Sequence, residues 1–376
     1  MSPIRPMHVL MTSTSYPLHA EDWRGRFIKD MVDSLSHMDN VRLSLWAPPG
    51  DVPAKVRRVA SSSESAWLRN LLTRGGIAHS IRSGSWQLLV DVGKLLGFLC
   101  GVYRRIGDAD LIHVNWLQNA LPLWGTATPA VITVLGSDFG LLRLPGMTAL
   151  LRMILRQRKA VISPNAEWMI PELERRFGDV ASIIPIPFGV DARWFRIQRN
   201  AQTGLSRKWI VVSRITAKKI GHLFSWGESA FNDGDELHLF GPMQEQIPIP
   251  GWVHFHGPTH PDELREHWFP TATGLVTLSQ HDEGRPQIIL EAMAAKLPIL
   301  ASDIAAHRNL IQHQQTGWLA NSRQHFIEGL RCLNDKETNV TVGMAAQHWV
   351  KQQVGTWDDC AERFVAAYRS VLGSGA

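Results

Sequence analysis

Cysteine is scarce in this chain. Cys100, Cys332 and Cys360 are the only three in 376 residues, widely spaced and without a C-x-x-C pair. That spacing excludes a disulfide framework and fits a reducing compartment. Long apolar runs are missing too: Met7 to Met11 is too short for a signal peptide and leads into polar sequence, so a cytoplasmic protein is expected. A G-x-G-x-x-G fingerprint is absent, which argues against a dinucleotide cofactor. Helix-turn-helix, zinc-finger and RNP-like patterns are absent as well, so no nucleic-acid partner is expected. No repeats or low-complexity segments interrupt the chain.

What remains is ordinary globular composition, 44% hydrophobic and 19% charged, at a length that calls for two domains. The net charge of +5 is unevenly placed. Residues 1–198 carry 23 Lys+Arg against 16 Asp+Glu (+7), and residues 199–376 carry 16 against 18 (−2). A basic first half suits an anionic lipid surface better than nucleic acid. Strand-like runs at 8–11, 41–47, 111–115, 130–135 and 160–163 alternate with helix-length segments, the pattern of a parallel sheet covered on both faces. An amphipathic helix is expected from about Gly25. The polar, basic segment RIQRNAQTGLSRK reads as a linker near 197–207, and a second strand-helix series starts at Trp209. The spacing predicts one helix over His348 to Leu372.

The richest stretch is 279–303, SQHDEGRPQIILEAMAAKLPILASD. Glu283 and Glu291 stand eight residues apart, and Ile288, Leu290, Met293 and Ala294 have helical spacing from Gln287. A loop of backbone N–H groups and a helix N-terminus beside Glu283 is a way to hold phosphate. Glu291, one to two turns on, would reach the sugar end of a nucleotide.

This run closely resembles the donor-site signature of the retaining glycosyltransferases of family 4. They have the GT-B fold: α/β, two Rossmann-like domains facing across a cleft. The resemblance implies that Glu283 contacts the transferred sugar, that N–H groups over Gly284, Arg285, Pro286, Gln287 and Ile288 hold the diphosphate, and that Glu291 holds the ribose. It extends through much of the chain. Arg214 and Lys219 match a pair that the family sets against the diphosphate, with Ile220 in place of a usual glycine. Trp23 to Gly25 lies where the first glycine loop meets donor and acceptor, so Gly25 is a donor-side candidate and Asp22, Trp23 and Arg24 are acceptor candidates. His113 and Trp116 of HVNW fall on the acceptor side, and a structural role for His113 is an equal reading. Asp138, a catalytic candidate that could orient the acceptor, sits in VLGSDFG, where Leu135 replaces a usual histidine. IPIPFGVD marks the domain junction, with Phe188 in place of a common Asn. The implied division is 1–200 on the acceptor side, 201–345 for the nucleotide sugar, and 346–376 as a helix crossing back.

The reading is a glycosyltransferase that moves a sugar from a UDP- or GDP-sugar to a saccharide or lipid-linked saccharide in cell-surface polysaccharide synthesis, with no metal and no other cofactor. A nucleotide-sugar epimerase and a catalytically silent sugar-nucleotide-binding partner are the alternatives. His254, His256 and His260 have spacing that allows metal ligation, but alternating strand histidines more often pack. The pairs Asp108/Asp110 and Asp233/Asp235 read as turns. Finally, 86–105, WQLLVDVGKLLGFLCGVYRR, puts Gln87, Asp91, Lys94, Gly101 and Arg105 on one stripe. That leaves Trp86, Leu89, Leu96, Phe98, Leu99 and Val102 as an apolar face for either a membrane surface, making the protein peripheral on the inner leaflet, or the core of the first domain.

Overall fold

Apolar residues at both parities of a strand require cover on both sides, and both sheets of this protein are built that way. The computed structural model describes residues 5–19, 21–75, 87–200, 207–231, 234–281 and 284–373. The chain divides into two compact units, Met1–Phe188 with Trp357–Ala376, and Gly189–Thr356.

In the first unit, strands β1 (Met7–Thr12), β2 (Val41–Trp46), β3 (Arg57–Arg58), β4 (Leu111–Asn115), β5 (Ala130–Val134), β6 (Ala160–Pro164) and β7 (Ser182–Ile183) form a parallel sheet in the order β3-β2-β1-β4-β5-β6-β7. Its helices are α1 (Arg26–Ser36), α2 (Ser62–Thr73), α3 (Gln87–Arg105), α4 (Met147–Leu155) and α5 (Ile170–Phe177). Alternate residues supply the two cores. Leu10, Ile112, Val114 and Ile132 pack with α3, α4 and α5. Val9, Met11, Leu43 and Val131 pack with α1 and the C-terminal helix.

In the second unit, β8 (Arg207–Val212), β9 (Asp235–Phe240), β10 (Val253–Gly257), β11 (Gly274–Thr277), β12 (Ile299–Ser302) and β13 (Trp318–Ala320) form a parallel sheet in the order β10-β9-β8-β11-β12-β13. It is covered by α6 (Ala217–Ile220), α7 (Leu223–Gly227), α8 (Pro261–Glu263), α9 (Gln287–Ala294), α10 (Ala305–Arg308), α11 (Arg323–Asn334) and α12 (Lys336–Gln353). The last helix, α13 (Trp357–Leu372), returns to the first unit, where Cys360, Phe364 and Tyr368 are fully buried.

Two expectations change here, and one left open between two readings is narrowed. The single helix over 348–372 is two, because Gly355 at φ +75° breaks it between Gln353 and Trp357. The division falls at Phe188/Gly189 and Thr356/Trp357, not in the basic linker. Val190 and Trp194 already lie in the second unit's core, and Arg199 is fastened by hydrogen bonds to Lys296 O, Ala272 O, Thr273 O and Asn339 Oδ1. The apolar face of α3 is a core face: Leu99 and Val102 are fully buried, Leu96 is half-buried, and Phe98 meets Trp67 edge-on at 5.4 Å. Trp86 lies outside the described residues, and Leu89 is exposed. Among the described residues no helix is long and apolar enough to cross a membrane.

Candidate active site

Each sheet grows outward in both directions from its first strand, so the loops leaving the first and fourth strands part to opposite faces and open a crevice at their carboxyl ends. In the second unit those strands are β8 and β11. The loop after β8 carries Arg214 and, in α6, Lys219, whose N–H is capped by Thr216 Oγ1 at 3.3 Å. Both cations are half-buried, and Arg214 Nη1 lies 3.5 Å from Gln244 Oε1. The two loops touch. Gln280 N–H donates to Lys218 O at 2.7 Å, and Gly221, at φ +53°, comes so close to Leu278 that a Cβ there would stand 2.0 Å from its carbonyl oxygen.

After β11 the chain passes buried Ser279, Gly284 and Pro286 and enters α9, whose N-terminus has no side-chain cap. Glu283 lies outside the described residues. Arg285 and Ile288 are half-buried. The Gln287 amide donates to Gly189 O at 2.8 Å. Glu291 is half-buried one turn along the same helical face.

A brace beneath this loop had no counterpart in the sequence reading. Ser302 Oγ donates to Ser279 O at 2.5 Å, and His307, fully buried, places Nδ1 2.8 Å from Ser302 O. It ties the loops after β11 and β12 together. His307, four residues beyond the 279–303 stretch, had no assigned role, because spacing cannot reveal which carbonyl a histidine will meet.

The histidines of β9 and β10 pack as rings. His256 stacks on Phe240 at 4.6 Å, His238 stacks on His254 at 4.9 Å, and both His238 and His256 lie against Trp268. Burial, with repulsion from His254, lowers the pKa of His238 and His256. His260 Nδ1 accepts from Asp262 N–H as a helix cap. Among the described residues no three His, Cys, Asp or Glu could hold a metal ion. Asp108 lies in a turn and pairs with Arg42, Asp110 accepts from His8 N–H, and Asp235 pairs with Arg207. Asp233 lies outside the described residues.

In the first unit the crevice opens between β1 and β4. Gly25 caps α1 at φ +68°, against Ser15 and Tyr16. Trp23 is 46% exposed in this loop. Asp22 is buried and accepts from Leu18 N–H and from Arg24 N–H, Nε and Nη2, while Arg24 also donates to Leu72 O. Burial opposes the Asp22 charge, but these bonds win and hold its carboxyl below the ordinary value. Asp22 and Arg24, expected to face an acceptor, fold the loop instead.

His113 is likewise a core residue. It is wholly buried between Tyr368 Oη at 2.7 Å and Thr133 Oγ1 at 2.8 Å, and burial pushes its pKa down to about 3. Trp116 holds a left-handed φ of 69° at the end of β4, with its ring edge-on to Phe27. Such strain in a non-glycine residue costs about 1–3 kcal/mol and marks a site held by its surroundings. Asp138 is buried and accepts from Leu117 N–H and Leu135 N–H, both at 3.0 Å, bracing the loops after β4 and β5. Burial raises its pKa against the pull of those N–H groups. Its carboxylate positions two loops and is not free to orient an acceptor.

Residues 212–335, which contain the whole β8–β11 crevice, match the family of glycosyl transferases group 1. That segment, about a third of the chain, is similar to the group 1 glycosyltransferases. Across 296 residues the chain is 24% identical to the GDP-mannose-dependent alpha-(1-6)-phosphatidylinositol monomannoside mannosyltransferase of Mycobacterium tuberculosis, covering 69% of this chain and 76% of that one. Its fold is GT-B. It superposes on sucrose-phosphate synthase from Thermosynechococcus elongatus with a TM-score of 0.72 at 16% identity, over 97% of this chain and 98% of that one. On Anabaena HepE in complex with UDP and glucose the TM-score is 0.67 at 14% identity, over 97% and 100%.

Proposed function

We propose that this glycosyltransferase moves a hexose from a UDP- or GDP-sugar to a saccharide or lipid-linked saccharide, with retention at the anomeric carbon, in cell-surface polysaccharide synthesis. The observation that carries the proposal is the crevice at β8 and β11, with Arg214 and Lys219 on one side and the uncapped N-terminus of α9 on the other. Fixed cations and helix N–H groups are what a departing diphosphate needs, and they do the work of a divalent ion. The backbone of Gly284 to Ile288 holds the diphosphate, Glu291 the ribose and Glu283 the sugar. Leaving and attacking oxygens lie on the same face of an oxocarbenium-like sugar, so the protein's contribution is position and charge. The mannosyltransferase relative supports a GDP-sugar donor and a lipid-linked acceptor. The HepE complex supports UDP and glucose.

The test is nucleotide release from a panel of UDP- and GDP-sugars, with and without acceptor, and NMR of the product anomer. Acceptor-dependent release with the donor's own anomeric configuration is expected. An epimerase gives no net nucleotide, a silent binder turns nothing over, and an inverted product ends the retaining assignment. Activity should survive EDTA; loss restored by Mn²⁺ would end the metal-free reading.

A further inference from the structure

Leu99 and Val102 of the α3 stripe lie in the core, with Leu89 exposed at its head, and a larger apolar surface with cations beside it lies elsewhere on the first unit. Helix α4 and the turn before it provide it. Leu150 and Met153, one helical turn apart, are 36% and 41% exposed, and Leu144 is 52% exposed. Beside them runs a groove of about 510 Å³ lined by Leu142, Leu144, Thr148, Arg152, Arg156 and Arg176. Residues 139–166 hold five cations (Arg143, Arg152, Arg156, Arg158, Lys159) and no Asp or Glu.

Acids from α5 and beyond answer part of this charge. Asp179 pairs with Arg152 at 2.6 Å and lies 3.8 Å from Arg156, and Glu172 pairs with Arg175 and Arg176. Arg143, Arg152, Arg156, Arg175 and Arg176 set against Glu172, Glu174 and Asp179 leave +2. Arg143 and Arg156 are exposed.

We propose that this face docks on a bilayer leaflet rich in anionic lipid, with Leu144, Leu150 and Met153 entering the acyl boundary and the arginine groove receiving a lipid phosphate. Neither element suffices alone. A small apolar cluster binds a bilayer reversibly, and a basic patch adds long-range attraction that salt screens. The placement suits the chemistry. Helix α4 begins four residues after the turn Ser137–Arg143, which Asp138 ties to the loop after β4 at the first sheet's carboxyl edge. The use of this docking rests on the lipid-linked acceptor reading, but the docking itself is measured without an acceptor.

The experiment is flotation of the full chain with phosphatidylcholine vesicles containing or lacking phosphatidylglycerol. The wild type should float with the anionic vesicles at low salt and stay behind with neutral ones. Arg143→Gln/Arg156→Gln should cut partitioning about fivefold for each cation removed. Leu150→Ser/Met153→Ser should cut it comparably, with an unchanged melting temperature and an unchanged thermal shift on UDP or GDP, since these side chains are already at the surface. Leu89→Ser/Val90→Ser, at the exposed head of α3, should float like the wild type. No flotation on anionic vesicles, flotation of both patch variants at the wild-type level, or loss confined to the Leu89/Val90 pair overturns the proposal. So does a dimer that Leu150→Ser/Met153→Ser splits, which would make the face a self-association surface. If docking holds but lipid-linked saccharides are not used, the acceptor reading fails and the docking face stands.

Discussion

Gly221 shows how narrow the tolerances of the proposed donor site are: a methyl group there would strike the Leu278 carbonyl oxygen, and the residue is already at positive φ. Gly221→Ala should therefore push the β8 loop away from the β11 loop, raising KM for the donor roughly tenfold through about 1–3 kcal/mol of strain. Steady-state kinetics against a thermal melt separates that from general unfolding. Glu283 and Glu291 should divide differently. On the proposed assignment, Glu283→Ala should lose kcat, since a contact to the sugar would act as charge develops, whereas Glu291→Ala should raise KM, since a ribose contact would be equal in ground and transition states. Full kcat in Glu283→Ala would remove that assignment.

At His113 the readout is pH. The unfolded residue takes up a proton below about 6.5, and the folded one only near 3. The unfolded state therefore binds more protons in that window, and stability present above pH 6.5 is lost on acidification at up to about 1.4 kcal/mol per pH unit. His113→Gln, which cannot titrate, should show a shallower loss between urea melts at pH 7 and pH 5.

Between elements, the loops rather than the strands carry the site, and buried side chains hold those loops. Asp138 accepts one N–H from each of two loops. Asp138→Asn keeps the shape but offers only one accepting oxygen, so one buried N–H loses its partner at a cost of about 1–3 kcal/mol. Reduced stability with a greater loss in kcat than in donor binding is expected from urea melts and kinetics, since the braced loops belong to the first unit. Helix α9 was legible in advance because the helical spacing of Ile288, Leu290, Met293 and Ala294 from Gln287 is a local signal. The break at Gly355 was not, since a single glycine between two amphipathic helices leaves the apolar period of each intact.

For the whole molecule, α13 is the last piece of the first unit's core. Removing 357–376 uncovers Cys360, Phe364, Tyr368 and the strand residues beneath them. At about 1.5–3 kcal/mol for each large side chain, the loss rivals the 5–15 kcal/mol that holds a typical domain. Calorimetry of the truncated chain should show the first unit's transition gone and a transition raised by UDP or GDP retained. Strand positions were determined by sequence alone: Leu111–Asn115 stands as expected and most of the others shift by one or two residues, because a strand covered on both faces must be apolar at both parities. The cations after β8 and the run from Gln287 to Glu291 were also legible, as local motifs at strand ends.

Only tertiary structure decided the rest. A leucine stripe on α3 reads the same whether its partner is a sheet or a lipid. Asp22, Asp138 and His113 look like site residues until their partners are known. The His113 partner Tyr368 is 255 residues away, and one partner of Asp138 is 21 residues away. Local spacing fixes which face a residue occupies; what meets that face, and whether a buried polar atom is already satisfied, is set by contacts distant in the chain.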